Sequence, residues 1–142
     1  DAGAKMSKSN ASEQSVVKLV DSDDVIAEKF RKAKSDADLL PATVEELADR
    51  PEASNLLTIF SALSDRAPQH VLDDYAGKGF GAFKPALADL AVATLAPIRN
   101  KMVRLLDDKA AIAAILNQGA EKARALAAPT LKAAQDAMGL LT

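Results

Sequence analysis

The chain has no cysteine and no tryptophan, and only one histidine, one tyrosine and four phenylalanines in 142 residues. Without cysteine there are no disulfides and no thiolate metal sites, and the redox compartment stays open. With aromatics at 4%, the core has to be built from Ala, Leu, Val and Ile. An excess of one charge is also lacking: 18 basic against 20 acidic residues give a net charge of −2. A mainly electrostatic nucleic-acid binder has a basic footprint, so the balance speaks against that class while leaving room for a local basic face. No apolar run approaches the about 20 residues of a membrane helix. No secretory apolar region stands at the start, and the expected address is the cytosol.

What is present is a globular balance of 49% hydrophobic and 27% charged residues, enough for one domain with a real core. The chain does not begin with Met, and "DAGA" is not an obvious tag, so the expectation is a piece of something longer.

The pattern along the chain is helical. Residues 15–20, "SVVKLV", are β-branched and suggest a short extended segment. Asp21 suits an N-cap, Asp23 and Asp24 suit the first turn, and Val25, Ile26, Phe30 and Ala33 follow at helical spacing. Thr43 and Glu46 make a capping-box pair for a short helix between Pro41 and Pro51. "ASNLLTIFSAL", residues 53–63, reads as a strongly buried helix. Pro68 suits the first position of "PQHVLDDY". "AGKGFGAF", residues 76–83, reads as a loop, and Lys84-Pro85 as the start of a long helix with a kink at Pro97. Asp107-Asp108 marks the next cap, for a short helix stopped near Asn117 and Gly119. A last helix from about 120 to 138 turns Leu126, Leu131 and Ala134 inward and stops at Gly139. The expected fold is all-α, with residues 1–20 a non-helical lead and 21–142 a helical domain.

One string in the lead carries chemistry: Lys5-Met6-Ser7-Lys8-Ser9. A lysine ammonium is a compact charge on a flexible stem, suited to negative charge developing on a departing phosphate. Serine hydroxyls and loop N–H groups suit phosphate oxygens. A loop that closes over a nucleotide and reopens has to lack a rigid core anchor.

The string resembles the second signature of class I aminoacyl-tRNA synthetases. "SNLLTIFSALS" (54–64), "YAGKGFGAFKPALADLAVATLAPIRNK" (75–101) and "GAEKARALAAPTLKAAQDAMGL" (119–140) resemble the C-terminal part of the bacterial tryptophanyl branch of that family. The resemblance runs from Lys5 to Leu140 and is weakest over 36–52. It implies that Lys8 and Lys5 are catalytic, stabilising the leaving pyrophosphate. Lys5, Met6, Ser7, Lys8 and Ser9 would bind ATP. It implies a helical domain that binds the anticodon region of tryptophan tRNA, with Arg99, Lys101, Arg104, Lys122 and Arg124 as candidate phosphate contacts. ATP arrives with Mg²⁺ in the whole enzyme, L-tryptophan is the other substrate, and no residue here supplies a metal site. The whole enzyme is expected to be a homodimer, with this part monomeric.

The family's first signature, His-x-Gly-His, is absent, and so are the strands of the nucleotide-binding α/β domain. This part alone is therefore not expected to activate tryptophan. The alternatives are a helical protein- or RNA-interaction module in which the string is fortuitous, or a basic-armed RNA-binding domain. For the remaining residues the plain readings lead. His70 lacks an orienting partner and reads as a surface residue. The Asp pairs at 23–24, 73–74 and 107–108 read as caps or solvated groups. "GKGFG" lacks the phosphate-loop spacing. Single surface Lys and Arg are mostly solvated.

Overall fold

The computed structural model describes residues 13–140. Among these there are no strands. Two short 3-10 turns and five helices follow one another: α1 (Asp23–Lys32), α2 (Pro51–Ser64), α3 (Pro68–Tyr75), α4 (Phe80–Asp107) and α5 (Lys109–Ala137). The all-α architecture is the one that the sequence implies. The chain divides into two compact units, the first ending at Asn100 and the second beginning at Lys101.

Residues 15–20 form no strand. A 3-10 turn covers Glu13–Ser15, and residues 16–18 have no regular structure. Ser22, not Asp21, caps α1: its hydroxyl accepts from the Val25 N–H. Asp21 is drawn away by a lysine on the next turns, described below. On α1, Ile26 and Phe30 point into the core while Val25 stays exposed.

Between α1 and α2 the chain is irregular but tied down. Thr43 donates from its N–H and its hydroxyl to Glu46 Oε1, at 3.2 and 2.9 Å, which starts the 3-10 turn Glu45–Leu47. Arg50 donates to both carboxylate oxygens of Asp36, through Nε at 3.0 Å and Nη2 at 2.5 Å, and from Nη1 to the Leu39 carbonyl at 2.8 Å. Leu40 is 1% exposed, and its backbone is held by the next loop: its N–H donates to Lys78 O, and Gly77 N–H donates to Leu40 O.

Pro51 and Pro68 occupy first helical turns, where the missing N–H costs nothing. α2 buries Ala53, Leu56, Leu57 and Phe60. α4 starts at Phe80, four residues before the expected start, and Gly81 lies within its first turn. Burial explains the difference. Phe80 and Phe83 are 8% and 0% exposed, and Phe83 stacks against Phe60 and Tyr75 with ring centres 5.3 and 5.1 Å apart. A chain poor in aromatics thus puts four of its five in one cluster, each ring pair adding about 1 kcal/mol to simple burial. α4 continues through Pro85 and Pro97 as one 28-residue helix. Its length and composition would let it cross a membrane, contrary to the sequence reading, yet Phe83, Leu87, Ala88 and Ala91 build the core of the first unit.

Asp108 caps α5, accepting from Ala111 N–H at 2.9 Å. α5 is a single 29-residue helix that does not stop at Asn117 or Gly119 and runs through Pro129. Gly139, with φ of +70°, ends it, and Leu140 N–H returns to the Gln135 carbonyl. The expectation that Leu126, Leu131 and Ala134 turn inward is not met: Leu126 is 82% and Leu131 59% exposed, because no described residue packs over that face.

Candidate functional site

The Lys5–Ser9 string lies outside the described residues. What the structure does describe is how the chain just after it is held. Lys29, on α1, is the only buried charged residue among the described residues. It shares its face with Ile26, one turn earlier, and its ammonium turns back to the lead. Lys29 Nζ donates to Asp21 Oδ2 at 2.6 Å and to the Val16 carbonyl at 2.7 Å. Asp21 Oδ2 also accepts from the Lys18 N–H at 2.7 Å. Burial alone would raise the Asp21 carboxyl. The hydrogen bonds from Lys29 and the Lys18 N–H outweigh it and hold the group below the ordinary carboxylate value.

A second cation reaches the same place from α4. Arg99 Nη1 donates to the Asp21 carbonyl at 3.2 Å and to Asp23 Oδ1 at 2.6 Å. Its side chain is 13% exposed. Arg99 is therefore committed to the α1 N-terminus rather than standing clear in solvent. The other candidate phosphate contacts are exposed: Lys101 and Arg104 on α4, Lys122 and Arg124 on α5. Lys101 and Arg104, three apart, share a helix face, whereas Lys122 and Arg124, two apart, do not.

An apolar cavity of about 550 Å³ opens beside the lead, lined by Val17, Phe30, Leu56, Ile59, Leu63 and Leu95, with the Lys34–Glu52 ion pair among its walls. It holds no pair of groups placed for acid–base or nucleophilic chemistry. His70 is exposed, with no side-chain hydrogen bond among those described. Lys78 lies over the Tyr75 ring and donates to the Asp74 carbonyl, closing the α3–α4 turn. Among the described residues no three His, Cys, Asp or Glu side chains come together as a metal site.

The sequence reading missed Lys29. The signal was present: a lysine three residues after Ile26 and four before Ala33, on a face otherwise apolar.

The family model described as "tRNA synthetases class I (W and Y)" matches residues 1–96. The chain belongs to this family of class I aminoacyl-tRNA synthetases. Within it, the similarity points to the tryptophan branch. The tryptophan–tRNA ligase of Caulobacter vibrioides is 55% identical over 139 residues, covering 98% of this chain and 40% of that protein. The tryptophan–tRNA ligase of Agrobacterium fabrum is 50% identical over 141 residues, again with 40% of its length covered. The crystal structure of tryptophanyl-tRNA synthetase from Mycoplasma pneumoniae superposes with a TM-score of 0.74 at 27% identity, over 100% of this chain and 44% of that one. The chain thus spans about two fifths of the length of the curated relatives it matches.

Proposed function

We propose that this chain is the C-terminal part of a cytoplasmic tryptophan–tRNA ligase, joining the lysine–serine string of amino-acid activation to a helical tRNA-binding domain. The 55% identity to a tryptophan–tRNA ligase over nearly the whole chain carries this reading, and the Lys5–Ser9 string supports it.

In this reading the carboxylate of tryptophan attacks the α-phosphorus of ATP. The bond to the bridging oxygen breaks, and pyrophosphate leaves with the electron pair. Lys8 meets the charge that builds on the leaving group, where a positioned ammonium counts most. Lys5 adds a second positive charge, Ser7 and Ser9 offer hydroxyl donors to the phosphates, and Met6 contacts the nucleotide or anchors the loop. The described residues do not fit a resident magnesium ion, since no acidic cluster is present among them. Magnesium would enter on the ATP phosphates as part of the substrate. The helical domain holds the anticodon region of tryptophan tRNA, with Lys101, Arg104, Lys122 and Arg124 offering charge to its phosphates. The whole enzyme is a homodimer in this reading, and the part described here is inactive alone.

Amino-acid-dependent ATP–pyrophosphate exchange tests the reading, on the protein extended upstream to its natural start. Exchange is expected with tryptophan alone among the standard amino acids, and Lys8→Ala should lose most of it. Absence of exchange with every amino acid would leave a helical interaction module as the better account.

A further inference from the structure

The cavity beside the lead lies wholly within the first unit. Phe30, Leu56 and Ala91 are its buried wall, and Val17, Ile59 and Leu95 pack against the same core from the side. A site for a small molecule sets a few free polar groups into such a lining, and these fix the ligand's orientation. Here the lysines of the wall are engaged elsewhere. Lys29 holds Asp21 and the Val16 carbonyl, Lys32 pairs with Glu28, and Lys34 pairs with Glu52. Glu52, the one carboxylate of the lining, is used in that last pair. What remains for recognition is shape and hydrocarbon. That suits the apolar side chains of a protein surface, which need no polar anchor.

The position of the cavity says where that surface comes from. Gln14, Ser15, Val17 and Leu19 all line it, so the chain enters the described structure at the cavity's edge. Leu19 is 45% exposed and carries the apolar wall out to solvent. The family model, over residues 1–96, takes in every residue of the cavity and stops short of the second unit. The Caulobacter relative extends for about three fifths of its length beyond the part that this chain covers. A surface tethered at the rim is held there at high effective concentration, and a modest apolar contact is then enough to seat it.

Resting on the reading above, we infer that this cavity is a docking surface for the upstream part of the same polypeptide, whose apolar side chains seat between the lead, α1, α2 and α4. The contact is apolar and carries no charge of its own, since every lysine on the wall already has a partner within the helical part.

The test is thiol alkylation of the full-length protein carrying Leu19→Cys, with any upstream cysteine replaced by serine; this chain contributes none. Under a docked upstream part the thiol should react at least about 100-fold more slowly than in urea, because reaction then waits for local opening. Amine cross-linking from Lys34, exposed at the rim, should join it to upstream peptides. In a mixture of isotopically light and heavy protein those links should join peptides of one isotope. A thiol that reacts as fast as in urea would overturn the inference. So would links between light and heavy chains, which mark a second copy, or protection that ends when a bound small molecule, seen by native mass spectrometry, is extracted. If Leu19→Cys does not fold, Ile59→Cys reads the same wall. Tryptophan-dependent ATP–pyrophosphate exchange on the same samples separates two failures. Normal exchange with a freely reacting thiol removes the inference and leaves the function; exchange with no amino acid in the wild type removes the reading on which the inference rests.

Discussion

Arg99 of α4 and Asp23 of the first turn of α1 meet at 2.6 Å although 76 residues separate them in the chain. The same guanidinium nitrogen reaches the Asp21 carbonyl. This makes Arg99 a tether, and it distinguishes Arg99 from the other candidate RNA contacts. Asp23 is half exposed, so the ion pair itself contributes modestly. Arg99→Ala should cost about 1–2 kcal/mol in urea unfolding and Asp23→Asn about 0.5 kcal/mol. The two losses should not add in a double-mutant cycle. Full additivity would mean that the pair does not act as one.

The exposed cations should behave in the opposite way. In the full-length protein, Lys101→Ala, Arg104→Ala, Lys122→Ala and Arg124→Ala should leave unfolding nearly unchanged. Each one that contacts a tRNA phosphate should flatten the slope of log affinity against log salt by about 0.7–0.9. Arg99→Ala should shift stability with little change in that slope. Filter-binding titrations at several salt concentrations read both.

The aromatic cluster is the most sensitive point of the first unit. Phe83 is 0% exposed and contacts Phe60, Tyr75 and Phe80. Phe83→Ala should cost about 3–5 kcal/mol, enough to unfold a marginal domain. Phe83→Leu, which keeps most of the volume, should cost markedly less. Equal losses in a thermal melt would show that the ring contacts, and not the volume filled, carry the effect.

Asp36 gives the fold an acid-sensitive link. The side-chain hydrogen bonds from Arg50 hold its carboxyl below the ordinary 3.8, against a smaller opposing effect of burial. The folded state therefore binds this proton less tightly than the unfolded state. The stabilisation is present above pH about 4 and is lost as pH falls through the folded value below 3.8. Arg50→Ala should cost about 2 kcal/mol at pH 7. The gap to the wild type should narrow on acidification below pH 4, as urea midpoints at pH 7, 4 and 3 would show.

Gly119 sits inside α5 with nothing within 4 Å of an added methyl group and no positive φ. Gly119→Ala should stabilise the helix by about 0.5–1 kcal/mol. A loss would mean that the glycine has a packing role not seen here.

These residues also show what a sequence reveals and what it hides. Helices opened by Pro51 and Pro68 could be placed because proline at a first turn is a local signal. Gly81 and Gly119 misled, since a glycine costs a helix only about 1 kcal/mol and neighbours outvote it: buried Phe80 and Phe83 in one case, a run of alanines in the other. Asp21 and Ser22 are both good caps. What separates them is Lys29, eight residues on and visible only when α1 folds back on the lead. The contacts of Lys29 were not legible, because they join one side chain, one carboxylate and one carbonyl from different places in the chain.

α4 is a single helix whose residues lie in two different surroundings. Up to Ala91 one face lies in hydrocarbon, with Phe83, Leu87 and Ala91 at 0% exposure; from Pro97 onward Ile98 and Val103 are 49% and 45% exposed. Pro97 withholds the N–H that the Ala93 carbonyl would otherwise receive. Amide protons along this one helix should therefore keep two clocks. Those of its first half should exchange with deuterium only when the core opens, and those beyond the proline on the far shorter timescale of fraying.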